Sequence, residues 1–139
     1  MTDETLDTGI IARIHEAFNR RDLDAIAAEL TDDVVFHQIP GIRGAPPTTQ
    51  GRDAVLQGFE MMMRLGEQRI EDHNAESLAG FVVGVSTTTL TVGGTEQQMQ
   101  LIDVCRLRDG KLAERWAMVD RPSEASAILA NFAGQAAEA

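Results

Sequence analysis

The sequence lacks several residue types that particular classes of protein require. It has no tyrosine and one cysteine, Cys105, in 139 residues, so an intrachain disulfide is excluded. Its 12 basic residues are outnumbered by 22 acidic ones, which gives a net charge of −10, and the longest basic cluster is Arg20-Arg21. We therefore expect neither a nucleic acid nor an anionic membrane as a partner. No apolar run approaches the ~20 residues that a membrane-spanning helix needs.

The length of the chain is typical of one domain, and no repeat or interdomain linker is visible. We therefore expect one domain over residues 1–139. The first residues, MTDETLDTG, have neither the basic start nor the apolar stretch of a signal peptide. This pattern predicts a cytoplasmic protein.

The first half of the chain has the periodicity of helices. Apolar residues recur at intervals of three and four from Leu6 to Phe18, and Asp22 can cap a second helix over 23–30. Segment 33–40 has the pattern of a strand, and 52–65 has helical spacing again. Between them, residues 40–51 hold three prolines and three glycines and predict a loop at the mouth of the fold.

The second half alternates between apolar and polar residues and is rich in β-branched ones. Four strands are predicted, joined by short turns that contain glycine, over 69–78, 81–92, 95–107 and 111–119. Pro122 opens a predicted terminal helix over 122–132. Helices that precede an antiparallel meander predict an α+β fold, in which the helices cover one sheet face and leave a cavity.

The last predicted hairpin carries an acid, Asp103, inside an apolar strand. If one extra residue is bulged at its turn, Asp103 lies opposite Ala117 and Cys105 lies opposite Arg115. A plain two-residue turn would instead pair Asp103 with Trp116. The sequence leaves both registers open.

Both faces of this hairpin are apolar in either register. In the bulged register, Leu112 is predicted to lie with Trp116 and Met118 on the face opposite Asp103, which is the outer face if Asp103 lines the cavity. An antiparallel sheet that is apolar on both faces needs two covers. We therefore expect the helices on one face and a second copy of the chain on the other, forming a homodimer.

Three stretches resemble a known superfamily: AFNRRDLDAIAAELTDDVVFHQIPG, GRDAV and LIDVCRLRDGKLAERWAMVD. They are similar to the cone-shaped superfamily of nuclear transport factor two, ketosteroid isomerase, limonene epoxide hydrolase and the SnoaL-like polyketide cyclases. The similarity covers about residues 8–125. It implies an NTF2-like (cystatin-like) α+β fold that encloses a pocket. It selects no single activity, because this fold hosts many functions.

The resemblance also assigns individual positions. Asp103 falls where ketosteroid isomerase has the aspartic acid that hydrogen bonds the substrate oxyanion, and where SnoaL-like cyclases have a pocket histidine. Ala117 replaces the acid/base aspartate of cyclases and epoxide hydrolases, and Gln38 falls near the base of the isomerase. The strand from Phe81 lacks the epoxide hydrolase arginine and aspartate, and the chain has no tyrosine for the isomerase phenol. Asp120 matches a frequent aspartate of the group but is equally a helix cap.

Asp103 has two possible chemical roles. An apolar pocket favours its neutral acid, which would donate to an oxyanion, whereas a nearby Arg115 favours the carboxylate, which would act as a general base. The alternative is a buried Asp103–Arg115 ion pair, or an exposed charge at a sheet edge, without a catalytic role.

The three histidines and the cysteine are separate candidates. His15 lies on the apolar stripe of the first helix and is either an acid or base near pH 7 or a core residue. His37 is predicted to be structural and His73 to lie at the surface, and Cys105 is either a pocket residue or an inert core thiol. No metal motif or phosphate-binding loop occurs, so we expect no metal and no cofactor.

These observations lead us to expect an isomerase or cyclase for an apolar, oxygenated small molecule, with Asp103 and His15 as catalytic residues. Seven further positions are expected to bind substrate: Phe36, Gln38, Phe59, Met62, Cys105, Arg115 and Ala117. Because the acid/base aspartate and the tyrosine are missing, three alternatives stay open. They are a non-catalytic binding protein, a cyclase that only folds its substrate, and a structural dimerisation domain.

Overall fold

The computed structural model describes residues 6–38 and 47–119 together with Ala127. This part of the chain contains three helices, α1 (Ile10–Asn19), α2 (Leu23–Ala28) and α3 (Arg52–Leu65). It also contains six strands: β1 (Leu30–His37), β2 (Thr48–Gln50), β3 (Gln68–Leu78), β4 (Phe81–Val92), β5 (Thr95–Arg108) and β6 (Lys111–Val119). Apart from Ala127, the predicted terminal helix over 122–132 lies outside the described residues, as does Asp120.

The predicted α+β architecture is confirmed, and most elements lie close to their predicted positions. The cap at Asp22 is formed, because its side chain accepts a hydrogen bond of 3.1 Å from the backbone N–H of Ala25. Strand β1 begins at Leu30, three residues earlier than predicted. None of the helices in the described part is long and apolar enough to cross a membrane.

The six strands form one mixed sheet in the order β2-β1-β6-β5-β4-β3. All neighbours are antiparallel except β1 and β6, which run parallel. Helix α1 packs on β3 and helix α3 on β1, so both lie over the same, inner face of the sheet. The core between them is built from apolar side chains, including Ile10, Ile14, Phe18, Ile26, Val34 and Val82.

Strand β2 lies within the segment that was predicted to be a loop. Its three residues pair with the end of β1, from Val35 with Gln50 to His37 with Thr48. The prediction was wrong at these residues because so short a strand is set by pairing with a distant segment, which periodicity cannot reveal.

The hairpin of β5 and β6 has the bulged register, in which Asp103 pairs with Ala117. The turn itself has two residues, Asp109 (φ 54°) and Gly110 (φ 76°), both in the left-handed region. Such turns match the twist of the flanking strands. The extra residue is therefore placed in β6 rather than in the turn.

The bulge corrects one predicted orientation. Leu107 pairs with Leu112 and Arg106 with Glu114, so Ala113 is the extra residue. Leu112 therefore lies before the bulge and faces the core, and its predicted place on the outer face was wrong. A bulge reverses the face of the residues on one side of it.

A second bulge lies in β3 at His73. Asp72 pairs with Ser86, and the next paired residue, Asn74, pairs with Val85. The extra residue shifts the in–out alternation of side chains along β3 by one position. Asp72, before the bulge, and Ala75, after it, therefore both lie opposite inner-face residues of β4. The site described below depends on this change.

The outer face of the sheet carries an apolar patch. Ile102 and Met118 are exposed there. The guanidinium carbon of Arg106 lies 5.5 Å from the ring centroid of Trp116 and 5.6 Å from that of Phe81. The homodimer through this face stays a prediction.

Gly84 allows helix α1 to approach the centre of the sheet. A Cβ atom added at Gly84 would lie 2.9 Å from Cδ1 of Ile11, which is closer than side-chain carbons pack. Ile11 is itself buried in the core, so its side chain has little room to move. The glycine therefore sets the distance between helix and sheet.

We expect Gly84→Ala to lower the free energy of unfolding by about 1 to 3 kcal/mol, because it overpacks the core. Ile11→Val removes the clashing Cδ1 atom. Gly84→Ala should therefore destabilise the Ile11→Val variant less than it destabilises the wild type. Urea denaturation of the four proteins of this double-mutant cycle measures the coupling.

Gly58→Ala is the matched control, since an added Cβ meets nothing within 4 Å there and α3 should gain from a better helix former. Strictly additive effects of Gly84→Ala and Ile11→Val would contradict this explanation of the glycine.

Candidate functional site

Asp103 lies at the centre of the inner sheet face and is 1% exposed. It pairs with Gly84 of β4 on one side and with Ala117 of β6 on the other. Gly84 has no side chain and Ala117 has only a methyl group, so the groups that contact the carboxyl group above the sheet come from other residues. A buried carboxylate is unfavourable unless charged or hydrogen-bonding groups compensate it.

Arg115 supplies the opposite charge. Its Nη1 lies 3.4 Å from Asp103 Oδ1, and its guanidinium carbon lies 4.2 Å from the centroid of the Phe36 ring. Parallel pairing places Phe36 beside Arg115 in the sheet. The aromatic face therefore holds the guanidinium within reach of the acid.

His15 approaches the same acid from helix α1. The residue is 8% exposed, and its Nδ1 lies 2.7 Å from Asp72 Oδ1. Its other ring nitrogen, Nε2, lies 3.8 Å from Asp103 Oδ2. That separation is too long for a direct hydrogen bond, and Asp103 Oδ2 has no hydrogen-bond partner among the described residues.

The arrangement controls where a proton can be held. If His15 donates its Nδ1–H to Asp72, a neutral ring presents Nε2 as an acceptor. A carboxylate at Asp103 Oδ2 is an acceptor as well. The approach of these two atoms is favourable only when one of them carries a proton. A proton on either atom would let the pair donate to a third group, and the other atom would then accept from it.

Asp72 was not among the predicted site residues. It lies in a polar stretch, EDHNAES, whose alternation gives no inner face, and only the bulge at His73 sets its orientation. An acid next to a bulge could have been predicted as a site residue only if the bulge itself had a sequence signal.

The other predicted binding residues lie at different distances from the acid. Cys105 and Ala117 are buried on the inner face. Phe59 packs on Phe36 with a centroid distance of 5.7 Å, and Met62 is partly buried against the same core. Gln38 follows the end of β1, and its backbone N–H donates to the carbonyl of Pro47. The structure thus groups Asp103, His15, Arg115 and Phe36, and the binding role of the other residues stays a prediction.

The other two histidines match their predicted roles. His37 Nε2 lies 2.7 Å from Glu114 Oε2, and its ring stacks on Trp116, so it is structural. His73 is exposed at the bulge and lies 2.6 Å from Thr87 Oγ1.

Two open depressions lie on the described surface, and neither is lined by Asp103 or His15. One, of about 500 Å³, is formed by residues 20–24, and the other, of about 310 Å³, lies between Asn19 and the ends of β3 to β5. A ligand can reach the buried acid only when the side chains that cover it move. An enclosed cavity beside Asp103 stays a prediction. Within residues 6–38 and 47–119, no three His, Cys, Asp or Glu side chains are grouped so as to hold a metal ion.

Comparison with known proteins identifies the family. The sequence profile of the SnoaL-like domain matches residues 11–115, most of the chain. The chain belongs to the SnoaL-like domain family. No functionally curated protein matches this SnoaL-like chain.

Solved structures share the fold of the SnoaL-like protein. A loop truncation variant of IdmH is 25% identical, with a TM-score of 0.71, over 88% of this chain and 95% of that one. A cystatin-like protein of unknown function from Xanthomonas campestris has a TM-score of 0.77 at 19% identity, over 88% and 97% of the two chains. TerC, co-crystallised with polyporic acid, has a TM-score of 0.71 at 21% identity, over 88% and 95%.

Cys105 beside the acid is an inert thiol at neutral pH in this SnoaL-like protein. Burial raises its pKa to about 12, and the charge of Asp103 acts in the same direction, while Arg115 opposes both. The nucleophilic form of cysteine is the thiolate, so Cys105 does not act as a nucleophile at neutral pH.

The raised pKa of Cys105 predicts a loss of stability at alkaline pH. The thiol of the unfolded chain ionises near its ordinary value of 9.0, whereas the folded protein keeps the proton up to about 12. The free energy of unfolding should therefore fall between these values, by at most about 1.4 kcal/mol per pH unit from this group. Few other groups titrate there, because the chain has one lysine and no tyrosine.

Urea denaturation at several pH values, with Cys105→Ala as the control, measures this slope. The alanine variant should show a shallower decline above pH 9, whereas an identical slope in both proteins would contradict the buried, protonated thiol.

Proposed function

We propose that this SnoaL-like protein is a cofactor-independent acid–base enzyme, an isomerase or cyclase that acts on an apolar small molecule with oxygen substituents. The observation that carries the proposal is the approach of His15 Nε2 to Asp103 Oδ2, at 3.8 Å, in a buried apolar environment. A polar atom of a substrate that lies to one side of this pair would be within hydrogen-bonding reach of both atoms.

The proposed chemistry needs one proton acceptor and one proton donor. The unprotonated member of the pair removes a hydrogen from the carbon next to a carbonyl, and the protonated member donates its proton to the oxygen of the resulting enolate. In an unsaturated ketone, the protonated base then donates to a different carbon while the enol O–H proton returns to the other group, which moves the double bond and completes an isomerisation. In a diketone, the enol carbon attacks a second carbonyl as its π bond breaks, the enol O–H proton returns to the pair, and the protonated base donates to the new alkoxide, which closes a ring. No redox partner is needed for either reaction.

Three residues support this pair without touching the reacting atoms. Asp72 fixes the tautomer and orientation of His15, as carboxylates do for catalytic histidines. Arg115 and the ring of Phe36 compensate the charge of Asp103. Rigid support of this kind lowers the reorganisation needed during proton transfer.

The fold and its neighbours agree with a ligand of this class. TerC was crystallised with polyporic acid, by its name an organic acid. The apolar core side chains on the inner face, among them Phe36 and Phe59, suit the hydrocarbon part of such a molecule.

A second candidate function is ligand binding without catalysis. It is favoured by the 1% exposure of Asp103 and by Ala117, which stands where the resembling cyclases have an acid/base aspartate. In that case the network of Asp103, His15 and Arg115 only shapes the site.

The two candidate functions predict different rates of exchange between solvent deuterium and the hydrogens next to the carbonyl of a bound ketone. A panel of apolar ketones in D₂O, followed by proton NMR, measures loss of the hydrogens next to each carbonyl. We expect the wild-type protein to accelerate this exchange for a ketone that it binds. Asp103→Asn and His15→Gln should each slow it by about 10²- to 10⁴-fold, the usual contribution of general acid–base catalysis.

Asp109→Asn is the matched control, because it neutralises an acid of the same hairpin in a turn that favours asparagine. It should exchange the ketone at the wild-type rate. Ketones that bind without any exchange would support the second candidate and contradict the first, as would unchanged rates in the Asp103 and His15 variants.

A further inference from the structure

Asp103 Oδ2 is not the only buried oxygen without a hydrogen-bond partner on the inner sheet face. Within the described residues, the hydroxyl groups of Ser86 and Thr88 on β4 are also buried and unpaired. Ser86 is 1% exposed and Thr88 is 5% exposed. Buried polar groups in folded proteins are nearly always paired, so each of these needs an explanation.

The strand register places the three oxygens on one face. Gly84 pairs with Asp103, and Ser86 and Thr88 follow Gly84 at alternate positions of the same strand. Alternate residues of a strand point to the same face and are separated by about 7 Å. Ser86 and Thr88 therefore lie roughly 7 and 14 Å along the strand from the level of Asp103.

Packing alone does not account for the hydroxyl group of Thr88, whereas Ser86 lies opposite the acid Asp72 of β3. The same face of β4 has Val82 and Leu90, both fully buried. The neighbours of Thr88 in the adjacent strands are Ile70 and Met99, which are apolar and offer no side-chain partner. An unpaired buried hydroxyl destabilises the folded protein, and valine would fill the space of Thr88 without that penalty.

We propose that Ser86 and Thr88 form a second polar subsite, which binds a hydroxyl or carbonyl oxygen of the ligand whose other end lies at Asp103 and His15. This inference rests on the proposed function, since it takes the same site as the place of reaction. Serine and threonine hydroxyls both donate and accept hydrogen bonds, so either kind of oxygen fits.

The subsite narrows the class of ligand. The molecule is elongated, with an apolar body that packs on side chains such as Ile70 and Met99. It carries at least two oxygens, separated by roughly one or two strand repeats of about 7 Å. A compound with a single oxygen at its reacting end would leave the hydroxyl groups unpaired and bind less tightly.

Binding of two probes tests the subsite, using naphthalene and 2,6-dihydroxynaphthalene with the full-length protein. The diol has a hydroxyl at each end of the same apolar body. We expect the wild type to bind the diol more tightly than naphthalene. Ser86→Ala and Thr88→Val should each weaken diol binding by roughly two- to tenfold, the effect of one lost hydrogen bond, and leave naphthalene binding unchanged.

Thr87→Val is the matched control, because Thr87 is the adjacent residue of β4, faces the opposite side and contacts His73. It should bind both probes as the wild type does. The melting temperatures of Ser86→Ala and Thr88→Val should equal or exceed that of the wild type, because no protein group among the described residues pairs with the hydroxyls.

The subsite is overturned if the wild type does not prefer the diol, or if the two variants weaken both probes equally. Lower melting temperatures together with unchanged diol binding would also overturn it, since the hydroxyls would then be structural. Binding is independent of turnover, so the two proposals fail separately. If Ser86→Ala loses the preference for the diol, the hydrogen-exchange rates still decide whether the protein is a catalyst. If Asp103 and His15 do not catalyse exchange, the wild type can still prefer the diol.

Discussion

The structure depends on one buried carboxyl group, whose charge must be compensated by neighbouring charged and polar side chains. Asp103 is 1% exposed at the centre of the inner sheet face, where water cannot solvate it. Arg115 contacts one of its oxygens, and His15 approaches the other without reaching hydrogen-bonding distance. A buried charge persists only when such partners are in place, so the elements that carry these residues must meet in one arrangement.

Two irregularities of the sheet produce that arrangement. The bulge at Ala113 places Ala117 opposite Asp103 and keeps Arg115 on the same face, while the bulge at His73 turns Asp72 towards helix α1. Gly84 then lets α1 come close enough for His15 to reach between the two acids. Without either bulge, the alternation of one strand would present the opposite set of side chains to the site.

Much of the fold could be predicted from sequence because its signals are local. Helical periodicity marked α3, turn residues marked the four long strands, and a bulge near Asp109-Gly110 was one of the registers weighed. The place of that bulge, and with it the inward face of Leu112, was not predicted, because either strand of a hairpin can hold the extra residue. Asp72 was missed for a similar reason, and β2 because its pairing is not local. Asp103 was identified because an acid between apolar residues of one strand is visible in the sequence itself. The residues that contact it come from other elements, so their contacts depend on tertiary packing.

The most direct test of the buried, compensated carboxylate compares two arginines of the same hairpin by urea denaturation. Arg115→Gln leaves Asp103 buried without its countercharge and should lower the free energy of unfolding by about 3 kcal/mol or more. Arg106→Gln removes a more exposed pair with Glu114 and the contacts of Arg106 with the rings of Trp116 and Phe81. It should lower the free energy of unfolding by less, about 1 kcal/mol. Equal, small losses for the two variants would contradict the central role of Asp103 and its partner.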